Sequence, residues 1–147
     1  MGLRNLTFPA AVVETSGGPL SVRGLSFDHI YGIFIRRSAL VGQLFEMVMR
    51  DFKASEMDGE KAAELLVKMI HIAPDVVGEI IALGAGADPR DTENFIGDVG
   101  IAKALVISEQ IDALQKIAEL TFTSDMPAGK VFGLVLKLMG VVPSPKP

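Results

Sequence analysis

The chain has 147 residues, 49% of them hydrophobic and 22% charged, with a net charge of −4, which is the size of one domain with ample material for a packed core. It contains no cysteine and no tryptophan, and its two histidines, His29 and His71, lie far apart; a disulfide framework, a cysteine nucleophile, thiolate-held zinc and a histidine-rich metal site are excluded. Residues 1–50 carry five basic and three acidic side chains, residues 51–125 six and fifteen, and residues 126–147 three lysines and no acid, a pattern that lacks the dense basic stripe of a nucleic-acid binder.

The first elements are extended. Thr7-Phe8-Pro9-Ala10-Ala11-Val12-Val13-Glu14 is β-prone, Ser16-Gly17-Gly18-Pro19 is a turn cluster, and Leu20-Ser21-Val22-Arg23 is a second extended run. Together they predict a small β-hairpin or extended arm over residues 1–24. A lone hairpin is marginal in water, so it must pack on the remainder or on a neighbouring subunit.

Helical periodicity starts at Leu25. Ser26 is a candidate N-cap with Asp28 in the first turn, and Phe27, Ile30, Tyr31 and Phe34 follow on one apolar face. Arg36-Arg37-Ser38 is expected to interrupt this helix, with Ser38 capping a second that carries Val41, Leu44, Phe45, Val48 and Met49 and ends near Lys53. After a loop over 54–59 comes the clearest helix. It sets Ala62, Leu65, Leu66, Met69 and Ile70 against Lys61, Glu64, Lys68 and His71. Glu64 and Lys68 form an i, i+4 pair of favourable orientation.

Pro74 stops that helix and suits the first position of the next, whose apolar positions are Val76, Val77, Ile80, Ile81 and Leu83, with Gly84 and Gly86 to cap its end. Residues 87–100 read as a polar connection with at most a short helix through Phe95-Ile96, and Ile101 to Val106 as a short apolar segment. Ser108 is expected to cap a helix carrying Ile111, Leu114, Ile117, Ala118, Thr121 and Phe122 on one face. A last helix, Ala128 to Met139, leaves only Lys130, Gly133 and Lys137 as a polar stripe, and Val142 to Pro147 is a flexible proline-rich tail. The fold class expected is mainly α, an irregular bundle of about five to seven helices over residues 25–141 preceded by the hairpin, with a tail over 142–147.

No motif for chemistry survives inspection. Gly84-Ala85-Gly86-Ala87 follows a helix and lacks the third glycine of a dinucleotide fingerprint. Asp88, Asp91, Glu93 and Asp98 form an acidic cluster, but a calcium loop begun at Asp88 would place Arg90, Thr92 and Val99 at ligand positions. His71 shares the charged face of its helix, and His29 sits beside Asp28 in a first turn, which suits a surface or partner-contact role. Nucleophile elbow, Walker loop and zincin sequences are absent. The expectation is a protein without catalytic residues, cofactor or metal. The N-terminus lacks the apolar stretch of a secretory signal, and no run reaches the roughly 18 apolar residues of a membrane span.

What remains is apolar excess. The mean hydropathy of +0.39 is high for a small soluble chain, and large exposed apolar surface marks sites of protein interaction. Val131, Phe132, Val135, Leu138 and Met139 in the last helix are the first choice for a partner-binding or self-association face, with Phe27, Tyr31 and Phe34 as the second. All of these positions also suit a packed core.

Three blocks carry a family resemblance. They are Val22-Arg23-Gly24-Leu25-Ser26-Phe27-Asp28-His29-Ile30, then Ala73-Pro74-Asp75-Val76-Val77-Gly78-Glu79-Ile80-Ile81-Ala82-Leu83-Gly84-Ala85-Gly86, and Gln110-Ile111-Asp112-Ala113-Leu114-Gln115-Lys116-Ile117-Ala118-Glu119-Leu120-Thr121-Phe122 with Gly129-Lys130-Val131-Phe132-Gly133. In order and texture, over residues 20–142, the chain resembles the tail assembly chaperones of long-tailed bacteriophages, also called pre-tape-measure proteins.

The resemblance implies a non-catalytic chaperone that binds and solubilises the tape measure protein during tail assembly and then leaves. It implies residence in the host bacterial cytoplasm and absence from the mature virion. The tape measure protein is the implied partner, with the major tail tube protein and self-association as further ones, and with neither nucleic acid nor membrane. Many members have a longer form made by ribosomal frameshifting, and Ser144-Pro145-Lys146 could be encoded across a slippery C-CCA-AAG heptamer. The alternatives are a virion structural protein of the tail or head–tail connector, and a small helical regulator or ligand-binding protein.

Overall fold

The sharp start of the first helix is set by two neighbouring side chains. In a computed structural model of the chain, which describes residues 8–51, 59–123, 125–127 and 134, Ser26 caps helix α1 (Phe27–Arg36) through a reciprocal pair of hydrogen bonds. The His29 amide donates to Ser26 Oγ and the Ser26 amide donates to His29 Nδ1, each at 3.2 Å. This is a capping box with histidine in the place usually held by glutamate or glutamine.

Ahead of α1 the expected hairpin is present: β1 (Ala10–Thr15) pairs antiparallel with β2 (Gly18–Arg23), with Val13 opposite Leu20 and Ala11 opposite Val22. Alternation puts Ala11, Val13, Leu20 and Val22 on one face, and Val13 and Val22 are wholly buried against Val77, Ile81, Ala113, Leu114 and Ile117. Polar contacts hold β1 and the turn after it on the body. The Ser16 amide donates to Glu109 Oε2 at 2.7 Å, and Lys116 Nζ donates to the Val12 carbonyl at 2.7 Å.

Helices α2 (Ser38–Asp51), α3 (Gly59–Ile72), α4 (Pro74–Gly84), α5 (Thr92–Ala104) and α6 (Ile107–Thr121) complete a mainly α bundle of six helices among the described residues. Helix α4 is its axis. Eight of its eleven residues are buried, and two hydrophobic clusters lie on its two sides. One joins Val76, Ala82 and Leu83 to Ile33, Leu44, Met47, Phe95 and Val99; the other joins Val77 and Ile81 to the hairpin and to α6. The helix ends in a Schellman motif: Gly86, at φ +98°, donates to the Leu83 carbonyl and Ala87 to that of Ala82. At Gly78 the α4 backbone approaches α5 so closely that a Cβ would lie 3.2 Å from the Val99 carbonyl and 2.8 Å from Lys103 Cγ.

Three expectations need correction. The polar connection over 87–100 and the separate segment Ile101–Val106 are mostly one helix, α5. Its acids and two glycines weaken the local signal, but Phe95, Val99 and Ala102 fall on one face and are buried, so tertiary packing on α4 overrides propensity. Helix α6 starts at Ile107 with Val106 as its N-cap, so Ser108 lies inside the first turn and does not cap it. The break at Arg36-Arg37-Ser38 is observed, but α2 starts at Ser38 and its first hydrogen bond runs from the Val41 amide to the Arg37 carbonyl, so Arg37 stands at the cap position and Ser38 is the first helical residue and not the cap.

Candidate partner-binding surface

The α1–α2 break is fastened from beneath by charge. Glu79, only 1% exposed in α4, accepts from Arg36 Nε on Oε1 and from Arg37 Nε on Oε2, both at 2.7 Å. The Arg36 guanidinium also lies 5.3 Å from the centre of the Phe95 ring, a cation–π distance. Asp75 extends the network, 3.6 Å from Arg37 and 2.5 Å from Lys103 Nζ. The Lys103 hydrogen bond, with the positive charges of Lys103 and Arg37, holds the Asp75 carboxyl below the usual carboxylate range. These contacts tie α1, α4 and α5 together and fix the face that α1 turns outward.

That face is a row of large side chains. Phe27, Tyr31 and Ile35 follow one another at i, i+4, i+8, so they align along one flank of α1. Phe27 and Ile35 are 41% and 55% exposed, Tyr31 is half-buried, and the rings of Phe27 and Tyr31 stack with centroids 6.3 Å apart. Phe34, seven residues on from Phe27, lies on the inner side of this flank, beside Tyr31. It is buried with Ile30, packed by Leu25, Tyr31, Val41 and Phe122. Sequence reading placed Phe27 and Tyr31 together and passed over Ile35, although its spacing from Tyr31 is the signal that finds it.

The first-choice residues Val131, Phe132, Val135, Leu138 and Met139 lie outside the described residues, as do most of the expected last helix and the tail. His29 is half-buried at the base of the α1 row. Burial pushes its imidazole below the ordinary histidine value, the nearby Arg36 charge adds to this, and Asp28 opposes it. His71 is exposed on α3 as expected. In the acidic loop, Asp88 pairs with Arg90 and Asp91 accepts from the Asn94 amide, and no group of three metal-ligating side chains occurs among the described residues.

A second apolar surface lies on α5, where Ile96 and Ile101, 66% and 67% exposed, are the most exposed large hydrophobics of the described residues. Beside it a groove of about 530 Å³ runs between the hairpin turn and the end of α5, lined among others by Gly17, Leu20, Ile101, Val106 and Glu109.

A bundle with a buried ionic clasp and exposed apolar rows is suited to binding other chains. The chain matches, over residues 1–147, the family model described as pre-tape measure protein. It belongs to the pre-tape measure protein family. Membership of this family of assembly proteins points to a role in phage tail assembly, and the family name implies association with a tape measure protein. No curated protein and no solved structure matches the chain.

Proposed function

We propose that this pre-tape measure protein is a non-catalytic tail assembly chaperone that binds the tape measure protein directly and keeps it soluble until the tail tube forms around it. The observation that carries the reading is the Phe27–Tyr31–Ile35 row. Phe27 and Ile35 hold large apolar side chains exposed on a helix locked in place by Glu79, with Tyr31 half-buried between them and stacked on Phe27. A short row of this kind suits weak, repeated contacts along a long client, where multivalency supplies the avidity. In this reading the apolar residues Val131, Phe132, Val135, Leu138 and Met139 near the end of the chain also contact the client. In this reading the protein works in the host bacterial cytoplasm and is left out of the finished virion, a longer frameshifted form is made beside it, and the major tail tube protein is a further partner.

The test is co-expression with the tape measure chain from the same phage. The tape measure chain stays soluble and co-purifies with the wild-type protein, and Phe27→Asp/Ile35→Asp leaves the chaperone folded but releases the client to the pellet. Mass spectrometry of purified particles detects no trace of the protein. Its recovery in finished virions at structural stoichiometry would make it a tail component and overturn the reading.

A further inference from the structure

The groove beside the hairpin turn is hollow because the residues around it are small. Its floor is Ile81 and Ala82 of α4, both buried, and its walls carry Ala85, Ala87, Ala102 and Ala104. Asp98, Ile101, Ala102 and Leu105 line it from one flank of α5, at the i, i+3, i+4, i+7 spacing of a helix face. The space of about 530 Å³ falls within the range of pockets that hold ligands, roughly 300–1,000 Å³.

The opposite wall is the turn of the hairpin, and it is fixed before anything binds. Thr15 Oγ1 donates to the Gly18 carbonyl at 2.6 Å and accepts from the Gly17 amide at 3.2 Å, while the Ser16 amide donates to Glu109 Oε2. A wall held in this way loses little freedom when a partner enters.

Charge gives the groove a preference. Its ionisable side chains are both acids, Asp98 and Glu109, and no lysine, arginine or histidine lines it among the described residues. Asp98 is exposed and has no ion pair among the described residues. Glu109 gives one carboxylate oxygen to the Ser16 amide and keeps the other for a partner. The cations of the same helices are engaged elsewhere, Lys103 with Asp75 and Lys116 with the Val12 carbonyl and Asp112. An apolar hollow with carboxylates on two of its walls suits an aliphatic side chain whose neighbour is a cation, and it repels one whose neighbour is an acid.

We propose that this groove is a second client-binding site, which takes a large aliphatic side chain of the tape measure chain together with an adjacent lysine or arginine that reaches Asp98 and Glu109. The proposal rests on the chaperone reading and adds to it the chemistry of the segment recognised. The groove is separate from the α1 row. Glu109 lies in the first turn of α6, while Thr121 at its far end accepts the Leu25 amide just before α1, so the two sites are separated by about 18 Å along α6. Two such sites on one chain grip a long client more tightly than either alone.

Two experiments on the full chain test this. In the first, a peptide of four Leu-Lys-Ala-Ala repeats is titrated into isotope-labelled protein and followed by amide NMR. The amides of Gly17, Gly18 and Ile101 shift, a Leu-Glu-Ala-Ala peptide leaves them in place, and an Ala-Lys-Ala-Ala peptide binds about tenfold more weakly. Asp98→Asn/Glu109→Gln keeps an acceptor for the Ser16 amide and weakens the first peptide about tenfold, whereas Glu93→Gln/Glu119→Gln removes the same charge from exposed positions outside the groove and changes binding less than about twofold. Ala104→Trp fills the groove from an exposed position and abolishes the shifts with the melting temperature unchanged.

The second experiment is capture of the co-expressed tape measure chain, which Asp98→Asn/Glu109→Gln and Ala104→Trp both lower. A wild type whose groove amides ignore the Leu-Lys-Ala-Ala peptide, or respond equally to the acidic one, overturns the proposal, and this result needs no variant to fold. So does full capture by both groove variants, which leaves the chaperone reading standing on the α1 row alone. Groove variants that change the sedimentation of the protein by itself, with capture intact, assign the groove to a second copy and also overturn it. A wild type that binds the peptide in the groove and captures no tape measure chain overturns the chaperone reading and the client named here, and keeps the aliphatic–cationic preference.

Discussion

Arg36 Nε lies 2.7 Å from Oε1 of Glu79, joining the last turn of α1 to the buried centre of α4. Arg37 holds the other carboxylate oxygen at the same distance. A carboxylate this deep is tolerated only because both its oxygens are satisfied by cations whose far ends still reach water.

Breaking that clasp from the arginine side is therefore costly. Arg36→Ala/Arg37→Ala leaves Glu79 buried without its partners and should destabilise the fold by about 3–5 kcal/mol, more than either single substitution. Urea denaturation of the three variants measures this. Adding Glu79→Leu to the double variant should recover much of the loss.

Glycine replacements separate close approach from open helix. Gly78→Ala drives a methyl group to 3.2 Å from the Val99 carbonyl and should cost about 1–3 kcal/mol by overpacking, despite the better helix propensity of alanine. Gly42→Ala in α2 meets nothing within 4 Å and should gain up to about 1 kcal/mol. Thermal melts of the two proteins should move in opposite directions.

The α1 row and its buried neighbour should part in the same way. Phe34→Ala removes a ring that is 6% exposed and should cost about 3–5 kcal/mol. Ile35→Asp changes a side chain that is 55% exposed and should leave stability within about 0.5 kcal/mol. Only the second should lower capture of the tape measure chain without lowering the melting temperature.

His29 predicts a pH dependence. Its Nδ1 accepts the Ser26 amide, and its folded-state pKa is lowered from 6.5. The unfolded chain thus binds the proton more readily. The capping contribution is fully present above about pH 6.5, starts to fall below it, and is lost as pH drops through the lower folded value. His29→Gln keeps an acceptor at this capping position and should flatten this part of the stability profile, as read from urea midpoints between pH 7.5 and 5.

The hairpin, the Ser26 cap, the stop at Pro74, the mainly α bundle and the family were all legible in the chain of residues alone. These rest on local rules: turn chemistry, capping residues, alternation and 3.6-residue periodicity act within a few neighbouring residues. Phe27 and Tyr31 were legible for the same reason. Only tertiary packing makes α5 continuous, because burial of Phe95, Val99 and Ala102 on α4 outweighs two glycines and the acids Glu93 and Asp98. It alone turned Phe34 inward and left Ile35 out, since a helix with apolar residues on most sides does not say which side its neighbours will cover. The clasp on Glu79 was equally hidden. Arg36 and Arg37 stand more than forty residues from it, and only the packing of α1 across α4 makes them partners.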